Sequence, residues 1–218
     1  MTNMIVPIYK PKGCSSYDVI RELKKKHPGQ KIGHGGTLDP LASGVLVIGI
    51  GSQATKRLST VLKNTDKEYE ALIELGKISA TDDSEGPVKK LRVKESKIKA
   101  VNINLSATIN SFVGEIEQIP PGYSAVKIKG VPAYKRSRRG EVLNLKPKKA
   151  RINQIEIIEY IYPFLKLKIV CGSGTYIRSL ARDIGKKLRT GAYLSELERT
   201  RVGQFRADQC VRLKSKVI

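Results

Sequence analysis

Asp39 is the one acid in the stretch GHGGTLDPLASG (33–44), which leads into the apolar run VLVIGIG at Val45. Glycines let a backbone approach a ligand closely. A carboxylate presented there can attack an electrophilic carbon or take a proton. Before Pro40 the same residue could equally serve as a turn or cap aspartate. An acid near a phosphate path weakens anion binding unless chemistry or an arginine partner compensates.

Other chemistries fail on residue type. Gly44 and Gly49 have the spacing of a phosphate loop, but Ile50 stands where lysine is required, so no nucleoside-triphosphate site follows. His34-Gly35-Gly36 has the look of an esterase oxyanion loop, yet the chain contains no GxSxG elbow. Cys14, Cys171 and Cys210 are odd in number and far apart, and the histidines are His27 and His34, which supports neither a disulfide framework nor a zinc site. Asp82, Asp83 and Glu85, next to Gly86, read as a loop rather than as metal ligands.

The elements that must position Asp39 follow from pattern. MIVPIYK predicts a strand that stops at Pro11 and Gly13, and Ser15 with Asp18 predicts a capping-box start for a helix over 16–27, ended by Pro28 and Gly29. VLVIGIG is a buried strand, and residues 53–63 are helical. KEYEALIEL alternates Tyr69, Ala71, Ile73 and Leu75 with Glu70 and Glu74, the period of a strand, and residues 77–90 read as a polar loop. Residues 104–113 predict a helix, and QIEIIEYIYPFLKLKIVC two strands broken near Pro163. From Tyr176 on, Ile177, Leu180, Ile184 and Leu188 share one helical face while Arg178, Arg182 and Lys186 share another. Strands and helices mix without strict alternation, which gives one α+β domain over 1–218.

With 41 Lys plus Arg against 20 Asp plus Glu in 218 residues, the net charge is +21. The excess is uneven: +7 over residues 1–63, −2 over 64–123, +9 over 124–151, 0 over 152–177 and +7 over 178–218. The segment 124–151, with Lys127, Lys129, Lys135, Arg136, Arg138 and Arg139, reads as a protruding basic hairpin or loop facing a polyanion, and nucleic acid is the expected partner. An anionic membrane surface fits poorly, since the chain has no Trp and 3 Phe to form an apolar helix face. No apolar stretch reaches the length of a membrane span and no secretory leader is visible, so the expected address is cytoplasmic.

Residues 33–56, GHGGTLDPLASGVLVIGIGSQATK, resemble the catalytic motif of the TruB family, the tRNA pseudouridine-55 synthases. YKPKGCSSYDVI (9–20), DKEYEALIELG (66–76), IPPGYSAVKIKGVPAYKRSRRG (119–140), CGSGTYIRSLARDIG (171–185) and GAYLSELERTRVGQF (191–205) are similar to that family's further motifs, in the same order. The resemblance implies the pseudouridine synthase fold, with a mixed, mostly antiparallel central sheet flanked by helices and a thumb-like basic insertion at about 124–151. It implies Asp39 as the catalytic aspartate, Tyr69 as the tyrosine stacked on a flipped uracil, and Arg178 as the arginine paired with the catalytic carboxylate. Tyr176 matches a second pocket tyrosine, Leu197 an apolar wall, His34 the loop histidine that helps extrude the nucleotide, and Lys56 a basic residue beside the site. Lys127, Lys129, Arg136, Arg138 and Arg139 would meet the RNA backbone.

The implied reaction converts uridine to pseudouridine in the tRNA T-loop, with no cofactor and no metal, in a monomer. Bacterial members commonly carry a C-terminal domain of PUA type, which this sequence is expected to lack. A noncatalytic RNA-binding or ribosome-assembly protein is the alternative that charge alone would permit.

Overall fold

The computed structural model describes residues 3–213. In chain order it contains β1 (Met4–Lys10), α1 (Ser16–Lys26), β2 (Ile32–His34), β3 (Ala42–Ile50), α2 (Ser52–Val61), β4 (Lys67–Leu75), β5 (Lys77–Ser79), β6 (Val88–Lys90) and α3 (Glu95–Asn110). There follow β7 (Gly114–Gln118), β8 (Lys127–Ile128), β9 (Val131–Pro132), α4 (Ala133–Ser137), β10 (Lys148–Ile161), β11 (Phe164–Cys171), α5 (Ile177–Lys187), β12 (Ala192–Val202), β13 (Phe205–Arg206) and β14 (Val211–Arg212). The chain forms two compact units, residues 1–70 with 197–218, and residues 71–196.

In the first unit the strand order is β14-β1-β3-β12, with β2 on β3 and β13 on β12. β1 with β14 and β3 with β12 are parallel, and β1 with β3 is antiparallel. β3 is buried on both faces, which is why its sequence runs almost without a polar break. Leu46, Ile48 and Ile50 pack with Val19, Ile20 and Leu23 of α1, while Val45 and Val47 pack with Leu58 and Leu62 at α2. α1 begins as expected: Ser15 caps it, and the reciprocal bond to Asp18 completes a capping box.

In the second unit the order is β12-β4-β11-β10-β7. Ile73 and Leu75 of β4, Leu165, Leu167 and Ile169 of β11, Ile152 of β10, and Leu180 and Ile184 of α5 form its buried interior. Two sequence expectations change here. Residues 77–90 are not a plain loop, because β5 and β6 pair as a small hairpin whose three-residue strands are too short to show alternation. The helix expected over 104–113 starts at Glu95, where the lysine-rich ESKIK masks the buried spacing of Val101, Leu105 and Ile109. The architecture is α+β, as the sequence pattern predicts, with the mixed, mostly antiparallel pairing that the family resemblance implies. Among the described residues no helix is long and apolar enough to cross a membrane.

Candidate active site

Asp39 lies half-buried in the turn from β2 to β3, and the peptide groups around it are held individually. The Leu38 N–H donates to Ser16 Oγ at 2.9 Å, and the same hydroxyl donates back to the Leu38 carbonyl at 3.0 Å. The Asp39 carbonyl accepts from the Ala42 N–H at 3.0 Å, and the Pro40 carbonyl from the Gly13 N–H at 2.8 Å. Lys10 Nζ donates to Cys14 O at 2.7 Å and Pro11 O at 2.9 Å, and reaches Pro40 O at 3.4 Å. Arg199 Nη2 donates to Gly36 O at 3.2 Å and Nη1 to Thr37 O at 3.4 Å, while Nε holds Val45 O of β3 at 2.8 Å. A buried loop tolerates its carbonyls and amides only when each is paired. Lys10, Ser16 and Arg199 do that here at 0%, 3% and 2% exposure.

None of these three was singled out by the sequence reading. The signal was strand phase, since Lys10 shares the buried face of β1 with Ile8, and Arg199 that of β12 with Leu197. Gly44, at φ +106, lies opposite Arg199 in the β3–β12 register, and a Cβ on it would stand 2.2 Å from the Arg199 carbonyl oxygen. Only glycine admits that approach.

Leu197 is buried opposite Ala42, three residues beyond Asp39. Tyr69 is buried on β4, beside Glu68, which accepts from Thr200 Oγ1 at 3.0 Å and faces Arg201 at 3.7 Å. His34 closes β2, and its buried Nδ1 makes no hydrogen bond. Burial pulls its imidazole pKa below the ordinary value, and the Arg199 charge lowers it further. Lys56 is exposed on α2. The first unit thus carries Asp39, His34, Lys56, Tyr69 and Leu197.

The second unit carries Tyr176 and Arg178. Tyr176 is the N-cap of α5, and Gln118 clamps its backbone, accepting from its N–H at 3.0 Å and donating to its carbonyl at 3.3 Å. Arg178 is not the solvated charge that a basic helix face suggests. It is 5% exposed, ion-paired with Asp83 at 3.4 Å, and donates to Thr81 O at 3.3 Å and Tyr123 O at 3.1 Å. Arg182 pairs with Asp82 at 2.7 Å and donates to Ile119 O at 2.8 Å. Burial raises the Asp82 pKa and the Arg182 charge opposes that shift. Asp82 and Asp83 therefore face guanidinium groups. Among the described residues no cluster of three or more His, Cys, Asp or Glu side chains is arranged to hold a metal ion.

Within the basic insertion, Lys127, Lys129, Arg138 and Arg139 are exposed, with Arg138 lying 5.6 Å from the Tyr134 ring centre. Arg136 differs, since its Nε is bound to Glu141 at 2.5 Å. At the root of the insertion a cleft of about 380 Å³ is lined by Ile119, Tyr123, Glu141, Leu143, Leu145 and Arg182.

Residues 22–177 match the family description TruB family pseudouridylate synthase (N terminal domain), and residues 178–215 match the tRNA pseudouridylate synthase B C-terminal domain. A tRNA pseudouridine synthase B of Clostridium tetani is 43% identical over 97% of this chain and 72% of its own. That of Bacteroides fragilis is 43% identical over 93% of this chain and 84% of its own. Among solved structures, a chain of a Cbf5-Nop10-Gar1 complex superposes with a TM-score of 0.71 at 33% identity, over 98% of this chain and 53% of that one. A chain of an H/ACA RNP bound to a substrate RNA containing 2′-deoxyuridine gives 0.68 at 30% identity, over 98% and 52%. The chain spans about half the length of these solved chains, and the fold anticipated from the sequence is one it shares with them.

Proposed function

Since the chain belongs to the TruB family of pseudouridylate synthases, we propose that it isomerises uridine to pseudouridine at position 55 in the T-loop of tRNA. The observation that carries this reading is the loop around Asp39. A carboxylate sits on a turn whose neighbouring carbonyls and amides are pinned by buried Ser16, Lys10 and Arg199, in a chain with +21 net charge. Pairing these buried peptide groups stabilises the loop, and it also fixes the backbone that presents the carboxylate, which is what a reacting group requires.

In the reaction the N1–C1′ bond breaks, the uracil turns, C5 bonds to C1′, and the C5 proton is lost while N1 gains one. Asp39 acts in its ionised form, either by attack on the sugar or base or by taking the C2′ proton. The target base must leave its stack, at about a few kcal/mol, for a pocket that offers an aromatic face. Tyr69 is proposed to provide that face and Leu197 an apolar wall, while the family resemblance assigns Tyr176 as a second pocket tyrosine and Arg178 as the partner of the catalytic carboxylate. His34 and Lys56 assist extrusion and hold the flanking backbone, and Lys127, Lys129, Arg138 and Arg139 meet the RNA phosphates. Isomerisation consumes no cofactor. The protein acts as a monomer on tRNA in the cytoplasm.

The test is tritium release from 5-³H-uridine tRNA transcript. Wild-type protein releases one tritium per tRNA, and the product maps to position 55. Asp39→Asn loses release by roughly a thousandfold or more while its tRNA affinity stays within about threefold. Release at the wild-type rate by Asp39→Asn overturns the assignment.

A further inference from the structure

Arg199 is a buried cation without an acid: at 2% exposure its hydrogen bonds go to the carbonyls of Gly36, Thr37 and Val45. Among the described residues no carboxylate lies within ion-pair distance of it. Buried charges are ordinarily paired, because removing an ion from water is costly. A position that needed only packing would be better filled by methionine or leucine. The guanidinium is retained for what it does to its three acceptors.

Those acceptors belong to two pieces of chain. Val45 is in β3, and Gly36 and Thr37 belong to the loop that carries Asp39. The fork therefore ties the loop to the strand from one side, while Ser16 and Lys10 hold Leu38 and Pro40 from the other. Its own origin is fixed by the backbone, since Arg199 lies against Gly44 in the parallel register, at an approach no other residue in place of that glycine would permit. Gly36, at φ +131, also turns its carbonyl toward the fork at a conformation other residues rarely adopt.

We propose that Arg199 is a positioning residue for Asp39, setting the orientation of the reactive loop by a three-carbonyl fork rather than contacting RNA itself. The proposal rests on the assignment of Asp39 as the reacting carboxylate. Lysine in its place keeps the charge, but its donors all radiate from one nitrogen and cannot reproduce the planar fork whose three separate nitrogens reach Gly36, Thr37 and Val45 at once.

The experiment compares Arg199→Lys, Arg199→Gln, Arg199→Ala and Asp39→Asn on tRNA transcript under saturating conditions, with thermal melts of each protein. Arg199→Lys is expected to remain folded at 25 °C and to lose about tenfold or more in kcat, with KM and tRNA affinity within about threefold. Methylguanidinium added to Arg199→Ala restores part of that kcat and restores nothing to Asp39→Asn. A kcat within twofold of wild type in folded Arg199→Lys overturns the proposal, and so does a loss that disappears after correction for the folded fraction in all three Arg199 variants. Full activity in Asp39→Asn instead overturns the reading of the site on which the proposal stands.

Discussion

Removing one hydroxyl at Ser16 should destabilise the protein far more than its size suggests. Ser16 Oγ serves the Leu38 N–H at 2.9 Å and the Leu38 carbonyl at 3.0 Å, both buried. Ser16→Ala changes almost no volume, so no cavity contribution arises, and no side chain nearby replaces the bonds. Each buried polar group left without a partner costs about 1–3 kcal/mol. Two such groups, partly relieved by relaxation of the turn, give about 2–4 kcal/mol. For a protein of this length that corresponds to about 5–15 °C in Tm, at roughly 2–4 °C per kcal/mol. The assay is a thermal melt paired with urea unfolding, in which the midpoint falls and the slope is unchanged. Ser59→Ala is the control, because its hydroxyl is exposed on α2 and bonds only Lys56 O at 3.3 Å, and it should stay within about 0.5 kcal/mol. A Ser16→Ala midpoint within 2 °C of wild type would refute the reasoning that the Asp39 loop is held by individually satisfied peptide groups.

Three further outcomes are expected. Arg178→Met or Asp83→Asn, each breaking a buried ion pair, should cost about 3–5 kcal/mol in urea unfolding, and the double variant less than the sum of the two. Arg138→Ala with Arg139→Ala should lower the slope of log affinity against log salt by roughly one per arginine, and Arg136→Ala by less, because Arg136 is bound to Glu141; filter binding of tRNA at graded salt measures this. His34 binds protons less readily in the fold than unfolded, because burial and Arg199 oppose its charged form. Its contribution therefore vanishes above the unfolded pKa, near 6.5, and becomes destabilising as pH falls below it, so the Tm of His34→Gln between pH 7 and 5 should decline less steeply than that of wild type.

The capping box at Ser15 and the alternation in KEYEALIEL were readable because each is encoded within a few residues, and the structure places α1 and β4 accordingly. The β5–β6 hairpin was not readable, since strands of three exposed or half-exposed residues carry no period. On α5, the basic face was foreseen but its environment was not. Lys186 is 66% exposed at its side chain, whereas Arg178 and Arg182 meet Asp83 and Asp82 nearly a hundred positions away in sequence. The supports of Asp39 were hidden for a related reason. Lysine, serine and arginine belong on surfaces by default, and only acceptors brought together by folding explain why Lys10, Ser16 and Arg199 are buried. The motif around Asp39 is contiguous in sequence, while the side chains that hold its peptide groups are dispersed.

The separation in sequence between Gly36 and the guanidinium that holds it is 163 positions, against 22 between Leu38 and Ser16. On a ribosome adding about 5–20 residues per second, the near support is available at once and the distant one arrives roughly 8–30 s later. A nascent chain stalled before β12 can form the turn around Asp39 but cannot fasten Gly36 and Thr37 to Arg199. The loop around Asp39 thus acquires its last restraint only when a distant strand has been synthesised and paired, so its final geometry is a late event in the making of the chain.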